Sequence, residues 1–414
     1  MKINKIINIF LIFAIILTTF ILNKNYSYAE NDTDLHIYSD AVIIIENQTG
    51  KTLYEKNSEQ KMYPASTTKI LTAILTIERG NLSDKVTVTK SAIAQMKSGY
   101  TSAYLSEGEI ISVEDLLKVL LVHSANDASN VLAEYISGSI ENFVNLMNEK
   151  VKELGCTNTH FVTTNGLHDD NHYTTAKELA IIARYCMQNE TFRKIVSMKK
   201  CIIPTTNKSN ERIYKNTNDL INPSSGYYYP SCIGIKTGFT SEAKNCLISA
   251  CSKNGLQVIA VVLGASITEN HKSARYVDSK TLYDYTYSNY SIKNIAKGSS
   301  VVETIEIKNA TDETKSLELK LEKDLNILVN NKDKENIKTE IALKGNISAP
   351  IATNSVLGNI TYIVGSDKYT VNLLAAHDVE KKENTIWILR LSLILILLIL
   401  IFFIIFKIYK KCKK

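Results

Sequence analysis

Ser66-Thr67-Thr68-Lys69 sets a hydroxyl and an amine three residues apart at the start of an apolar helical pattern, so both project from one face. A serine becomes a nucleophile at neutral pH only when a base takes its proton. A lysine can be that base only if burial or a nearby cation depresses its pKa. The same spacing recurs at Ser197–Lys200 and Ser241–Lys244, both read as solvated surface, so spacing alone does not choose among the three. Ser66 is favoured because it opens a helix beside a buried face, where the dipole helps and water is scarce. Ser124-Ala125-Asn126 falls in a break between two helical patterns and can aim a hydroxyl and an amide into a cleft. Asn126 is also well suited to capping the next helix. A second such triplet, Ser252-Lys253-Asn254, sits at a hairpin turn and needs no further role. Lys236-Thr237-Gly238 closes a strand with a cation, a hydroxyl and a residue lacking Cβ, against which another main chain can lie closely.

The elements that must carry these groups follow from periodicity. Ala41–Glu46 and Thr52–Tyr54, joined across Asn47–Gly50, read as a β-hairpin. Ser66 to Arg79 is apolar nearly all round, which predicts a buried central helix ending at Gly80. Ser112 and Asp115 make a capping-box-like start to a helix running through Val122. Further helices are expected over Asp127–Ile136 and Thr174–Met187. Strands return at Cys232–Gly238, Asn245–Cys251 and Leu256–Leu263, the last two joined by Asn254-Gly255, a strong hairpin signal. The fold class is therefore α+β, an antiparallel sheet closed by both chain ends with a helical subdomain between them. Gly298-Ser299-Ser300 marks a boundary to a small all-β domain, with alternating strands at Thr304–Lys308, Leu317–Leu321 and Ile360–Val364.

Both ends address a membrane. Lys2 and Lys5 precede an apolar run from Ile6 to Leu22, and Ser27-Tyr28-Ala29 offers small residues for cleavage, so residues 1–29 read as a secretory signal, or else as an uncleaved anchor. Residues 386–406 carry one charge, Arg390, over a length sufficient to cross the hydrocarbon layer, and Trp387 suits an interface. Lys407, Lys410, Lys411, Lys413 and Lys414 follow at once, predicting a cytoplasmic tail at 407–414 and a catalytic region outside the cell membrane. The expected organisation is signal 1–29, catalytic domain 30–295, β-domain 298–378 and transmembrane helix 386–406. The formal charge of +6 is misleading, because eight of the 48 basic residues lie in the two membrane-addressing ends. What remains is slightly acidic, which argues against a nucleic-acid partner. The seven cysteines show no CxxC pair and no zinc-ligand spacing, and their pairing cannot be read from the sequence.

Taken in order, the three elements form the set found in penicillin-binding proteins and class A β-lactamases. The likeness extends to Pro64 through Lys69, Ser124 through Ser129, Asn165-Gly166-Leu167 through Ala176, and Lys236 through Thr240. Over roughly residues 35–295 the chain resembles the serine D-alanyl-D-alanine carboxypeptidases, the low-molecular-mass penicillin-binding proteins. Their β-domain and C-terminal attachment are also similar to the layout here. Ala125, and Lys244 after Ala243, stand where glycine is usual, and Lys244 would add charge to the cleft if it pointed inward. The resemblance implies Ser66 as nucleophile, Lys69 as its base with Lys236 holding its pKa down, and Ser124 as proton relay. It further implies that Asn126 holds the stem-peptide backbone and that Thr237 binds the terminal carboxylate, with Arg275 in support. Gly238 would let the substrate main chain approach, and the N–H groups of Ser66 and Phe239 would form the oxyanion hole. Peptidoglycan stem peptides and β-lactams are the implied partners, and no metal or organic cofactor is implied.

Three other readings compete. A β-lactamase needs a deacylating carboxylate, which Glu141-Asn142-Phe143-Val144-Asn145 approximates, but this lies in an amphipathic stretch with Ile140, Val144 and Met147 inward and Glu141 exposed. A metallopeptidase would use His168 and His172, yet the stretch lacks the glutamate of HExxH and reads as a solvated turn. A catalytically silent wall-binding scaffold is disfavoured by the complete set of serines, lysines and Thr237. His36, His123, His160, His271 and His377 have no ligand-like spacing.

Overall fold

The computed structural model describes residues 35–412 apart from 95, 97, 98, 333–336, 366 and 384. The expected signal segment, with Lys413 and Lys414 of the tail, lies outside the described residues. Residues up to Tyr38 form a unit of their own, and everything below concerns the unit from Ser39 onward.

Five antiparallel strands make the main sheet: β1 (Ala41–Glu46), β2 (Thr52–Lys56), β3 (Cys232–Thr240), β4 (Lys244–Lys253) and β5 (Leu256–Ala265). Their spatial order is β2-β1-β5-β4-β3, so the first hairpin pairs with the last strand across nearly the whole catalytic region. Asn254 and Gly255 both have positive φ, +51° and +80°, as the tight turn between β4 and β5 requires. The central strands are continuous apolar runs because both faces are covered. Ile43, Ile248, Ile259 and Val261 face the core shared with the helices, while their neighbours Ile44, Leu247, Ala260 and Val262 are buried on the other side.

The helical subdomain is built on α1 (Lys69–Arg79), whose Ile70, Leu71, Ile74 and Leu75 are fully buried. The α-helical turn begins at Lys69, and Ala65–Thr68 before it is a tighter 3₁₀ turn. In α2 (Val113–Lys118), Ser112 Oγ caps the helix by accepting from Asp115 N–H at 3.1 Å and donates to Asp115 Oδ2 at 2.6 Å, so the two side chains pair directly instead of through the Ser112 N–H of a full capping box. The helix does not continue to Val122 as α. Residues 119–123 widen into a π turn that stops at Ser124 in left-handed geometry (φ +72°), a device often found at functional sites. There follow α3 (Asn126–Ser137), α4 (Ile140–Glu153), α5 (Ala176–Cys186) and α6 (Ala274–Asn289). The buried stripe of α4 is Phe143, Met147 and Val151, so Ile140 and Val144 are half-buried rather than central, and Glu141 is exposed. Helix α5 packs on β1 and β5, and α6 packs on β4 and β5.

Between α6 and residue 383 the described elements are all strands. Strand β6 (Tyr290–Ala296) pairs with β9 (Leu325–Asn330), ahead of the Gly298 turn. A second antiparallel sheet is formed by β7 (Val301–Glu306), β8 (Ser316–Leu321), β10 (Ile337–Leu343), β11 (Val356–Val364) and β12 (Asp367–Ala375), in the order β7-β8-β12-β11-β10. Its own core contains Leu317, Leu319, Leu321, Ile360 and Leu373. Helix α7 (Thr385–Cys412) closes the chain, and its Leu389–Tyr409 stretch is long and apolar enough to cross a membrane.

Candidate active site

The turn that presents Ser66 is held by its own threonines. Thr67 Oγ1 donates to Pro64 O at 2.6 Å and Thr68 Oγ1 to Ala65 O at 2.9 Å, with Ala65 held at φ +48°. Thr68 is fixed from behind by His172 Nε2 at 2.9 Å. His172 Nδ1 accepts from Val162 N–H at 3.0 Å, so Nε2 carries the proton that Thr68 accepts. Burial pushes the His172 imidazole down to about 3, and it is neutral. His172 therefore belongs to a packed support and not to the solvated turn read from sequence.

Lys69, entirely buried, has its Nζ 2.8 Å from Ser66 Oγ, 2.6 Å from Asn126 Oδ1 and 2.7 Å from Asn165 O. Its ammonium is held well below the usual lysine range, first by burial and second by the charge of Lys236, with Asp127 opposing. Lys236 thus adds to a depression that desolvation causes in larger part. A neutral amine has two N–H groups and one lone pair. As an ammonium, Lys69 donates to all three oxygens; once it is neutral, Asn126 Oδ1 and Asn165 O accept its two N–H groups and its lone pair faces the Ser66 hydroxyl.

Asn126 is the first residue of α3, and Ala125 occupies the cap position, so its amide is turned to Lys69 instead of capping the helix. Ala125 has φ −60°, a conformation open to any residue, which explains why alanine replaces glycine there without cost. Ser124, nearly buried, opens onto the same cleft as Ser66. From the opposite wall, β3 brings in Lys236, Thr237 and Gly238. Lys236 Nζ donates to Thr237 O at 2.9 Å, and burial, followed by the Arg275 charge, pushes its ammonium down to about 7. A Cβ on Gly238 would stand 3.0 Å from Pro64 O and 3.1 Å from Ser66 N, so any other residue there would press the Ser66 turn away by a few tenths of an ångström. Thr237 Oγ1 is 2.6 Å from Thr217 Oγ1, and Arg275 Nη1 donates to Gly238 O at 3.3 Å. Phe239 is 64% exposed at the cleft edge. The cleft has a volume of about 620 Å³ and is lined by Ser66, Ser124, Asn126, Thr237, Gly238 and Arg275 among others.

Asp127 and Gly166 lie within the stretches that carry the resemblance, but no role is read for them from the sequence. Asp127 accepts from Ser102 Oγ at 2.6 Å, Ala103 N–H at 2.9 Å and Leu105 N–H at 3.0 Å, tying the wall that bears Thr101 to the start of α3. Gly166, at φ +83°, lies so close to the Ser66 turn that a Cβ would come within 1.9 Å of Ala65 O. Ser241, read as plain surface, is exposed but lines the cleft rim. Lys244 points to Asp40, 2.9 Å away, and its φ of +55° is the physical reason for a glycine preference at that position.

Residues 27–267 match the family described as D-alanyl-D-alanine carboxypeptidase. The chain belongs to this family. Residues 290–381 match the C-terminal domain family of penicillin-binding protein 5. The D-alanyl-D-alanine carboxypeptidase DacF of Bacillus subtilis (strain 168) is 34% identical over 390 residues, covering 92% of this chain and 96% of its own. Penicillin-binding protein 5 from Haemophilus influenzae superposes with a TM-score of 0.65 at 28% identity, over 84% of this chain and 99% of its own. A peptidoglycan synthesis regulatory factor (PBP3) from Streptococcus pneumoniae gives 0.70 at 25% identity, over 83% and 100%. The two families together cover the main sheet with its helical subdomain and most of the following β-domain.

Proposed function

We propose that this chain is a serine D-Ala-D-Ala carboxypeptidase, trimming the terminal D-alanine of peptidoglycan stem peptides through an acyl-enzyme that penicillins trap. The observation that carries the residue assignment is the buried Lys69 amine 2.8 Å from Ser66 Oγ, with its N–H groups already engaged. Lys69 takes the proton of Ser66, whose Oγ attacks the carbonyl of the penultimate D-alanine. The N–H groups of Ser66 and Phe239 stabilise the oxyanion. Ser124 passes a proton to the departing D-alanine amine, and water then cleaves the ester and regenerates Ser66. Thr237, Lys236 and Arg275 bind the terminal carboxylate, Asn126 holds the peptide backbone, and Gly238 gives it room.

A β-lactamase is the weaker reading, because Glu141 is exposed on α4 and does not line the cleft. The helix α7 anchors the chain in the cell membrane with its lysine-rich end in the cytoplasm and the cleft outside. Fluorescent penicillin that cannot enter cells tests both parts. Labelling of intact cells, lost in Ser66→Ala, together with D-alanine release from a D-Ala-D-Ala peptide, is the expected result. Labelling that persists in Ser66→Ala rejects the nucleophile, and labelling only after lysis rejects the orientation.

A further inference from the structure

Two of the cysteines face each other. Cys232 at the start of β3 and Cys251 near the end of β4 are direct partners across the antiparallel ladder. The neighbouring hydrogen bond runs from Ser252 N–H to Ser231 O at 3.0 Å, and the Cys232 N–H turns away to Tyr229 O at 2.9 Å. That pattern makes Cys232 and Cys251 a pair without ladder hydrogen bonds between them, the kind in which Cα atoms come closest, about 4.5 Å, at the near end of the disulfide range. Burial and, after it, the neighbouring Cys232 thiol both push the Cys251 thiol up. Cys156 donates to Glu178 O, Cys186 to Ile70 O and Cys246 to Tyr63 O, while Cys232 Sγ donates to Gly234 O at 3.3 Å, a bond that closing a disulfide would replace.

We infer that Cys232 and Cys251 are a modification site, closing to a disulfide across β3 and β4 by exchange with a small-molecule disulfide. Cys232 is half-buried while Cys251 is fully buried, so the oxidant meets Cys232 first. The Cys232 thiolate attacks one sulfur of the oxidant, breaking its S–S bond and releasing one thiol. Cys251 then loses its proton and attacks the Cys232 sulfur, releasing the second thiol. The pair gives up two electrons and two protons, and one oxidant disulfide becomes two thiols. Burial pushes the Cys251 thiol upward, so the closing step is the slow one. The bond would pin the ladder where its register shifts between Cys232 and Gly234, at the foot of the strand that carries Lys236, Thr237 and Gly238. It would do so without touching the cleft, which neither cysteine lines.

The test uses the full chain in detergent, treated with oxidised glutathione and then denatured with an alkylating agent. Five alkylated cysteines of the seven, and a peptide linking Cys232 to Cys251, are expected. Tm should rise by about 3–6 °C over the reduced protein, and the rise should vanish in Cys232→Ser and in Cys251→Ser, with penicillin labelling kept in all forms. Cys232→Ser, at the half-buried position, keeps the test open if Cys251→Ser folds poorly. Seven alkylated cysteines after prolonged oxidation, a glutathione adduct that never closes, or a linkage to any other cysteine would overturn the inference.

Discussion

Asn126→Asp is the sharpest perturbation of the site, since it changes one atom's charge at almost constant volume. Asn126 Oδ1 stands 2.6 Å from Lys69 Nζ, inside a region from which water is excluded. A carboxylate there favours the ammonium form of Lys69. For unit charges about 4 Å apart at an effective dielectric of about 20 the attraction is about 4 kcal/mol. That corresponds to a factor of about 10³ in the protonation equilibrium. Lys69 then holds its proton near neutrality, and the Ser66 oxygen accepts from it instead of giving a proton up. Acylation by a fluorescent penicillin, followed as a second-order rate between pH 6 and pH 10, should fall by about 10²–10³ at pH 7 and recover about tenfold per pH unit above it. Asn126→Ala separates the charge effect from a lost substrate contact, because it lowers the rate without moving the pH dependence. An Asn126→Asp profile parallel to that of the wild type would refute the account of Lys69 as a base kept neutral by its surroundings.

Gly166→Ala should abolish penicillin labelling and cost at least about 2 kcal/mol in chemical denaturation, because its Cβ meets main-chain atoms of Ala65 and no rotamer relieves the clash. Gly138→Ala, at φ +73° with nothing within 4 Å of the added carbon, should cost about 1 kcal/mol and leave labelling intact; equal damage from both would rule out the contact argument. His172 binds its proton less readily when folded than when unfolded. The stability it secures is therefore fully present above about pH 6.5 and is lost as pH falls toward 3. From pH 7 to pH 5 the loss is about 2 kcal/mol, and guanidinium denaturation of His172→Gln should show that much less pH dependence; an unchanged slope would count against it.

The parts of the fold that were legible in the sequence are those with a local cause. The apolar run of β5 and the all-round burial of α1 announce themselves by composition, and Asn254-Gly255 fixes a turn whose φ values only certain residues adopt readily. The three motif elements were also readable, because each combines a reactive group with a recognisable helix, loop or strand end. The supports were not, since their partners arrive from far along the chain. Lys69 and Asn165 are 96 residues apart, and Thr68 and His172 are 104 apart. Asp127 reads as an ordinary acid in the first turn of a helix until the loop at 102–105 folds over it. The π turn before Ser124 is equally silent, because Val-Leu-Leu-Val-His fits an α pattern just as well. Strands β6, β9, β10 and β12 were also missed. Strand β10 is exposed along nearly its whole length and carries no buried stripe, whereas β12 does alternate, with Val371, Leu373 and Ala375 buried, and was open to the same reading as β11.

The triple anchorage of segment 102–105 by Asp127 has a bearing on which molecules the groove can admit. One jaw of the groove is welded to the helix that also bears Asn126, so it cannot yield to a bulkier guest without disturbing the amine at the bottom. The facing jaw is the end of β3, with its exposed Phe239 and the turn through Ser241; it is paired to β4, but among the described residues no hydrogen bond ties residues 239–242 to the Ser66 turn. Tolerance for varied peptide or drug side chains must therefore come from that side, and substitutions that broaden or narrow the enzyme's diet should gather there.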